Sequence, residues 1–158
     1  MAETRLTEGP LHNADGSLAQ CGWATTLVRS YDRSRVKAPA LRIKEWDYYL
    51  VNDDEYAVAL TLGDLGYGGL ISASVMDFAE GVSHTASTMV PLTLGRFRLP
   101  SSSSSGVSRF QNGRVSFDFE VKGGCRRIKA QFARFDGRDD LTVEAGLDEA
   151  PRGTLVIA

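Results

Sequence analysis

The chain is poor in the residues that most often carry catalysis or bind metals. It has only two histidines, His12 and His84, and two cysteines, Cys21 and Cys125. That inventory excludes a His-rich metal centre or a relay of several histidines, and neither cysteine has a Cys or His at metal-ligand spacing. A G-x-S-x-G elbow, a Walker A loop, a G-x-G-x-x-G turn and a C-x-x-C pair are all missing. No run approaches the roughly 18 to 20 apolar residues of a membrane helix, and residues 1–10 carry Glu3, Arg5 and Glu8 where a signal peptide needs an apolar core. These absences predict no membrane span, no metal or cofactor, two free thiols and a cytoplasmic location.

What is present fits a single core. The 158 residues are 42% hydrophobic and 24% charged with a net charge of -2, a balance typical of a soluble domain and against a nucleic-acid protein. Charge is unevenly spread. Residues 29–44 hold Arg29, Arg33, Arg35, Lys37, Arg42 and Lys44 against Asp32, whereas 136–149 hold Asp136, Asp139, Asp140, Glu144, Asp148 and Glu149 against Arg138. The simplest expectation is that these segments attract one another or lie in water as loops.

From about residue 41 the pattern becomes short apolar runs parted by turn residues every 8 to 12 positions or so, which predicts an all-β antiparallel meander, barrel or sandwich. Strands are expected at 41–51, 56–62, 70–78, 82–90, 107–110, 114–122 and 126–134. The clearest is 114–122, where Val115, Phe117, Phe119 and Val121 alternate with polar residues. Gly123-Gly124 and Asn112-Gly113 predict tight hairpins. The serine run 101–105 reads as a flexible connection, and Gly66 to Gly69 as a turn. Residues 1–40 read as an extended arm, with 41–158 as the β domain. The last five residues, Thr154 to Ala158, read as an apolar strand with no polar cap, hence a pairing liability and a possible route to self-association through that edge.

One segment stands out for chemistry. As a strand, 41–51 places Glu45 and Asp47 on one face with Ile43 and Tyr49, and Lys44, Trp46 and Tyr48 on the other. In a cavity, Trp46, Tyr48 and Tyr49 could form walls while Lys44, Glu45 and Asp47 orient a polar end. Glu45 or Asp47 beside an aromatic ring could instead move a proton, and the plainest alternative has both acids tied to arginines that fasten the arm. His84 reads as a satisfied or surface histidine.

Tyr31-Asp32-Arg33, Val36-Lys37-Ala38-Pro39, the run Leu41 to Tyr49, Asp64-Leu65-Gly66-Tyr67 and the closing Leu155-Val156-Ile157-Ala158 resemble, in order, domain-of-unknown-function family 2804. The resemblance covers most of the chain from Leu6 onward. It implies no reaction, but it implies an incomplete two-domain protein, because members are about twice this long and carry a Trp-Gly-Arg signature that has no counterpart here. More distantly, the family is similar to paired lipocalin-like proteins that include carotenoid hydratases and pericyclic-reaction catalysts. The resemblance therefore implies a lipocalin-like fold. Three functions follow as expectations: binding of a small apolar or amphipathic molecule, hydratase or isomerase chemistry using a carboxylate, or a structural half-domain that pairs with a partner.

Overall fold

The computed structural model describes residues 4–148 and 155–158. Within the arm, β1 (Gly9–Pro10) pairs in parallel with β3 (Arg29–Ser30), and β2 (Trp23–Ala24) lies between them in sequence. Two short 3-10 turns, Arg33–Arg35 and Ala40–Arg42, lead into the main body. There, β4 (Glu45–Asn52), β5 (Tyr56–Asp64), β6 (Gly68–Asp77) and β7 (Val82–Pro91) form one antiparallel four-stranded meander. A second is built from β8 (Gly106–Gln111), β9 (Val115–Lys122), β10 (Cys125–Phe132) and β11 (Leu141–Leu147).

The two sheets stack as a sandwich, not a closed barrel. Period-two alternation turns Leu60, Leu62, Ile71 and Ala73 of the first sheet onto Val115, Phe117, Phe119, Ile128, Ala130 and Phe132 of the second, and these side chains are almost fully buried. Tyr49 meets Phe119 edge-on with ring centroids 4.9 Å apart. Gly123 and Gly124 take φ of +61° and +86°, the left-handed geometry that a two-residue hairpin between β9 and β10 requires. Asn112 caps the other predicted hairpin, its side-chain oxygen accepting from the N–H groups of Arg114 and Val115 at 2.8 Å.

The outward faces differ. On the first sheet the outward rows, read from β4 to β7, are Trp46-Gly63-Leu70-Met89, Tyr48-Thr61-Ser72-Ser87, Leu50-Ala59-Ser74-Thr85 and Asn52-Ala57-Met76-Ser83, with no charged residue. On the second sheet the central outward row is Arg109-Asp118-Lys129-Glu144, flanked by Glu120 and Arg127. Arg109 pairs with Asp118 at 2.9 Å and Lys129 with Glu144 at 2.7 Å.

Several expectations need correction. β4 begins at Glu45, not at residue 41, because Pro39 starts a 3-10 turn over Ala40–Arg42 and the chain becomes extended only after it. β11 lies inside the acidic run that read as a loop; Leu141, Val143 and Ala145 pack against the core at period two, and Thr142 and Glu144 between them face water. The closing apolar run is paired on one side: β12 (Val156–Ile157) runs antiparallel to β2, so Ile157 sits opposite Trp23, while Thr154 lies outside the described residues. Glu149 of the acidic run lies outside them too. Both cysteines are free and exposed, as their spacing implies. Among the described residues no helix is long and apolar enough to cross a membrane.

Candidate binding groove

The residues of the 44–49 segment are distributed to three places. Glu45 turns inward at the start of β4, where Arg33 forms an ion pair with it and the Tyr31 hydroxyl donates to its Oε1 at 2.6 Å. Burial pushes the Tyr31 phenol up from its usual value, against the pull of nearby Arg33, so it stays a donor. These two contacts fasten the arm to the first sheet. Asp47 accepts a hydrogen bond from the buried Ser108 hydroxyl, which joins edge strand β4 to edge strand β8 across the sandwich. Trp46 and Tyr48 point away from the core and remain 63% and 54% exposed. Lys44 precedes the strand, its ammonium 5.5 Å from the centre of the Tyr67 ring. Tyr49 alone of the aromatic trio is inside. The interior between the sheets is filled by phenylalanine and aliphatic side chains, so Trp46, Tyr48 and Tyr49 do not wall one shared cavity.

A buried carboxylate that the spacing argument passed over lies nearby. Asp64 ends β5 at 1% exposure, accepting from Thr93 Oγ1 at 2.7 Å and from the N–H groups of Gly66 and Phe97. Burial alone would raise its pKa, but the bonds from Thr93, Gly66, Gly95 and Phe97 outweigh that and hold it below the usual carboxylate range. The knot fixes the loop after β7, in which Leu92, Leu94 and Arg98 adopt φ near +50° at a steric cost of about 1 kcal/mol each. It also fixes the β5–β6 turn. Gly66, at φ +77°, passes so close to the arm that a Cβ would lie 2.2 Å from the Ala40 carbonyl oxygen.

At the end of the first sheet where β5 begins and β6 turns into β7, a groove of about 520 Å³ opens beside the β10–β11 turn. Its apolar floor comes from Tyr56, Val75 and Val82 of the first sheet and from Phe135 and Leu141, which flank the β10–β11 turn. Asp77, Asp136, Asp139 and Asp140 stand on its rim. His84 spans it, with Nε2 2.9 Å from the Phe135 carbonyl oxygen and the two rings 4.8 Å apart. The carboxylates are aimed by turn hydrogen bonds. Asp136 Oδ1 accepts from the N–H groups of Arg138 and Asp139 at 2.8 and 2.7 Å, Asp140 Oδ1 from Arg134 at 2.8 Å, and Asp77 Oδ1 from Glu80 at 2.9 Å. The Arg138 and Asp139 bonds, and to a lesser degree the nearby imidazole, hold the Asp136 carboxyl below its usual range. Among the described residues no three acids, histidines or cysteines converge as a metal site. A second space of about 540 Å³ lies between the arm and the serine loop, lined in part by Arg29, Tyr31, Ser101 and Ser102.

Stacked antiparallel meanders with a strapped N-terminal arm and a lateral, acid-rimmed groove define the class: an all-β sandwich protein. The family model described as Domain of unknown function (DUF2804) matches residues 3–158, and the chain belongs to that family. No curated protein matches the chain.

Proposed function

We propose that this chain is a binding domain for a small amphipathic molecule, whose apolar body lies on Val75, Val82, Phe135 and Leu141 and whose cationic end meets Asp136 and Asp140. The observation that carries this reading is the apolar floor under a rim of one charge sign. A pocket of 300 to 1,000 Å³ or so, mostly apolar with a few aimed polar groups, is the ordinary form of a small-molecule site, and at about 520 Å³ the groove falls within that range. Glu45 and Asp47, on which a proton-transfer reading rests, are engaged with Arg33, Tyr31 and Ser108 and do not line the groove.

The test compares decylamine with decanoate, followed by backbone amide shifts. Decylamine should perturb Val75, His84 and Leu141, and decanoate should bind at least about tenfold more weakly, the equivalent of ~1.4 kcal/mol. The double variant Asp136→Asn, Asp140→Asn should remove most of that preference. Equal binding of both probes, or shifts clustered away from the groove, would overturn the reading.

A further inference from the structure

The uncharged outward face of the first sheet is the feature of the molecule least suited to water. Trp46, Tyr48 and Met89 on it are 63%, 54% and 57% exposed, and no Lys, Arg, Asp or Glu interrupts the rows. The chain also exposes 10465 Å², where the area scaling for a compact 17.2 kDa protein gives about 7,800 Å².

We propose that this face is the interface of a twofold dimer of the chain, independent of any ligand in the groove. The argument for a second copy, over another partner, is that the face complements itself. A twofold axis running along the strands between β5 and β6 stacks β4 on the partner's β7 and β5 on the partner's β6, row upon row. Trp46 then lies over the partner's Met89, Tyr48 over the partner's Ser87, and Gly63 under the partner's Leu70, so large side chains meet small or pliant ones. No charge is brought against a like charge, because none is present. With strands about 4.8 Å apart and four outward residues about 6.8 Å apart on each, the face measures about 19 by 27 Å, or roughly 500 Å². Two such faces cover about 1,000 Å², the lower bound for a specific interface.

Sedimentation of the full chain across about 1 to 100 μM is the test. A monomer–dimer equilibrium is expected, weakened more than about tenfold by Tyr48→Lys and by Ser87→Arg and unchanged by Ile157→Lys. Both weakening substitutions replace exposed outward residues, and circular dichroism melts recorded at a concentration where the chain is monomeric, unaltered in the variants, confirm the fold; should Tyr48→Lys lower that melt, Ser87→Arg decides alone. A chain that stays monomeric, that forms open higher oligomers, or whose association survives both charged variants overturns the proposal; loss with Ile157→Lys would move the contact to the β12 edge.

Discussion

The two outward faces of the sandwich are built on the same backbone pattern and filled with opposite chemistry. On the second sheet, Arg109, Asp118, Lys129 and Glu144 alternate in sign across four strands, which rewards each cross-strand pair slightly and penalises any wrong neighbour. On the first, the equivalent positions hold Tyr48, Thr61, Ser72 and Ser87. A face meant for water can be charged at little cost; a face meant for contact cannot, since desolvating an unmatched charge costs several kcal/mol or more. Binary alternation therefore makes both sheets, and the choice of polar residue on the outward half distinguishes their surroundings.

The largest expected effect tests what the sheets share. Phe117 is 1% exposed at the centre of the sandwich, and Phe117→Ala should cost about 3 to 5 kcal/mol in denaturant unfolding, melting both sheets together. Two separate transitions would break the picture of one common core.

Next comes Asp64, which ties the β5–β6 turn to the loop after β7. Asp64→Ala strands the Thr93 hydroxyl and the buried N–H groups of Gly66 and Phe97, and should destabilise by about 3 kcal/mol. Because the native carboxyl is held below its ordinary value of 3.8, its charge contributes stability above that pH, and this is lost as pH falls through the lower native value. The stability gap between wild type and Asp64→Asn should therefore be full near neutrality and shrink in strong acid. A gap that grows on acidification would contradict the assignment.

The smallest effect sharpens the contrast between the faces. Lys129→Glu sets like charges beside Asp118 and Glu144 and should cost no more than about 1 kcal/mol, fading with added salt. Thr85→Lys on the first sheet should leave unfolding within about 0.5 kcal/mol at low concentration, where association plays no part. A large, salt-sensitive loss from Thr85→Lys would show that the two faces are not as different electrostatically as their residues imply.

Much of the fold was legible because local chemistry and tertiary packing agree. Gly123-Gly124 and Asn112-Gly113 mark real hairpins, and Val115, Phe117 and Phe119 occupy the core that their alternation predicts. β11 was illegible because Glu144 and the acids around it look like a solvated loop when counted by charge; the period-two signal of Leu141, Val143 and Ala145 was there to be read. The candidate site was less legible. His84 and the acidic turn are 51 residues apart at their contact, and nothing local brings them together. Asp64 looks like any turn aspartate until the loop after β7 folds over it.

The sequence by itself determined an all-β class, the hairpin connections and the division of each strand into two sets of side chains, because turn conformation and period-two alternation are local properties of the chain. Tertiary structure decided which set is covered. Trp46 and Tyr48 face outward and Tyr49 inward because the second sheet packs on only one side of β4; the groove exists because the β10–β11 turn folds beside the β6–β7 end of the first sheet; and β12 has a partner because the arm returns to meet it. Alternation names two faces without saying what lies above either, and burial is a relation between segments distant in the chain.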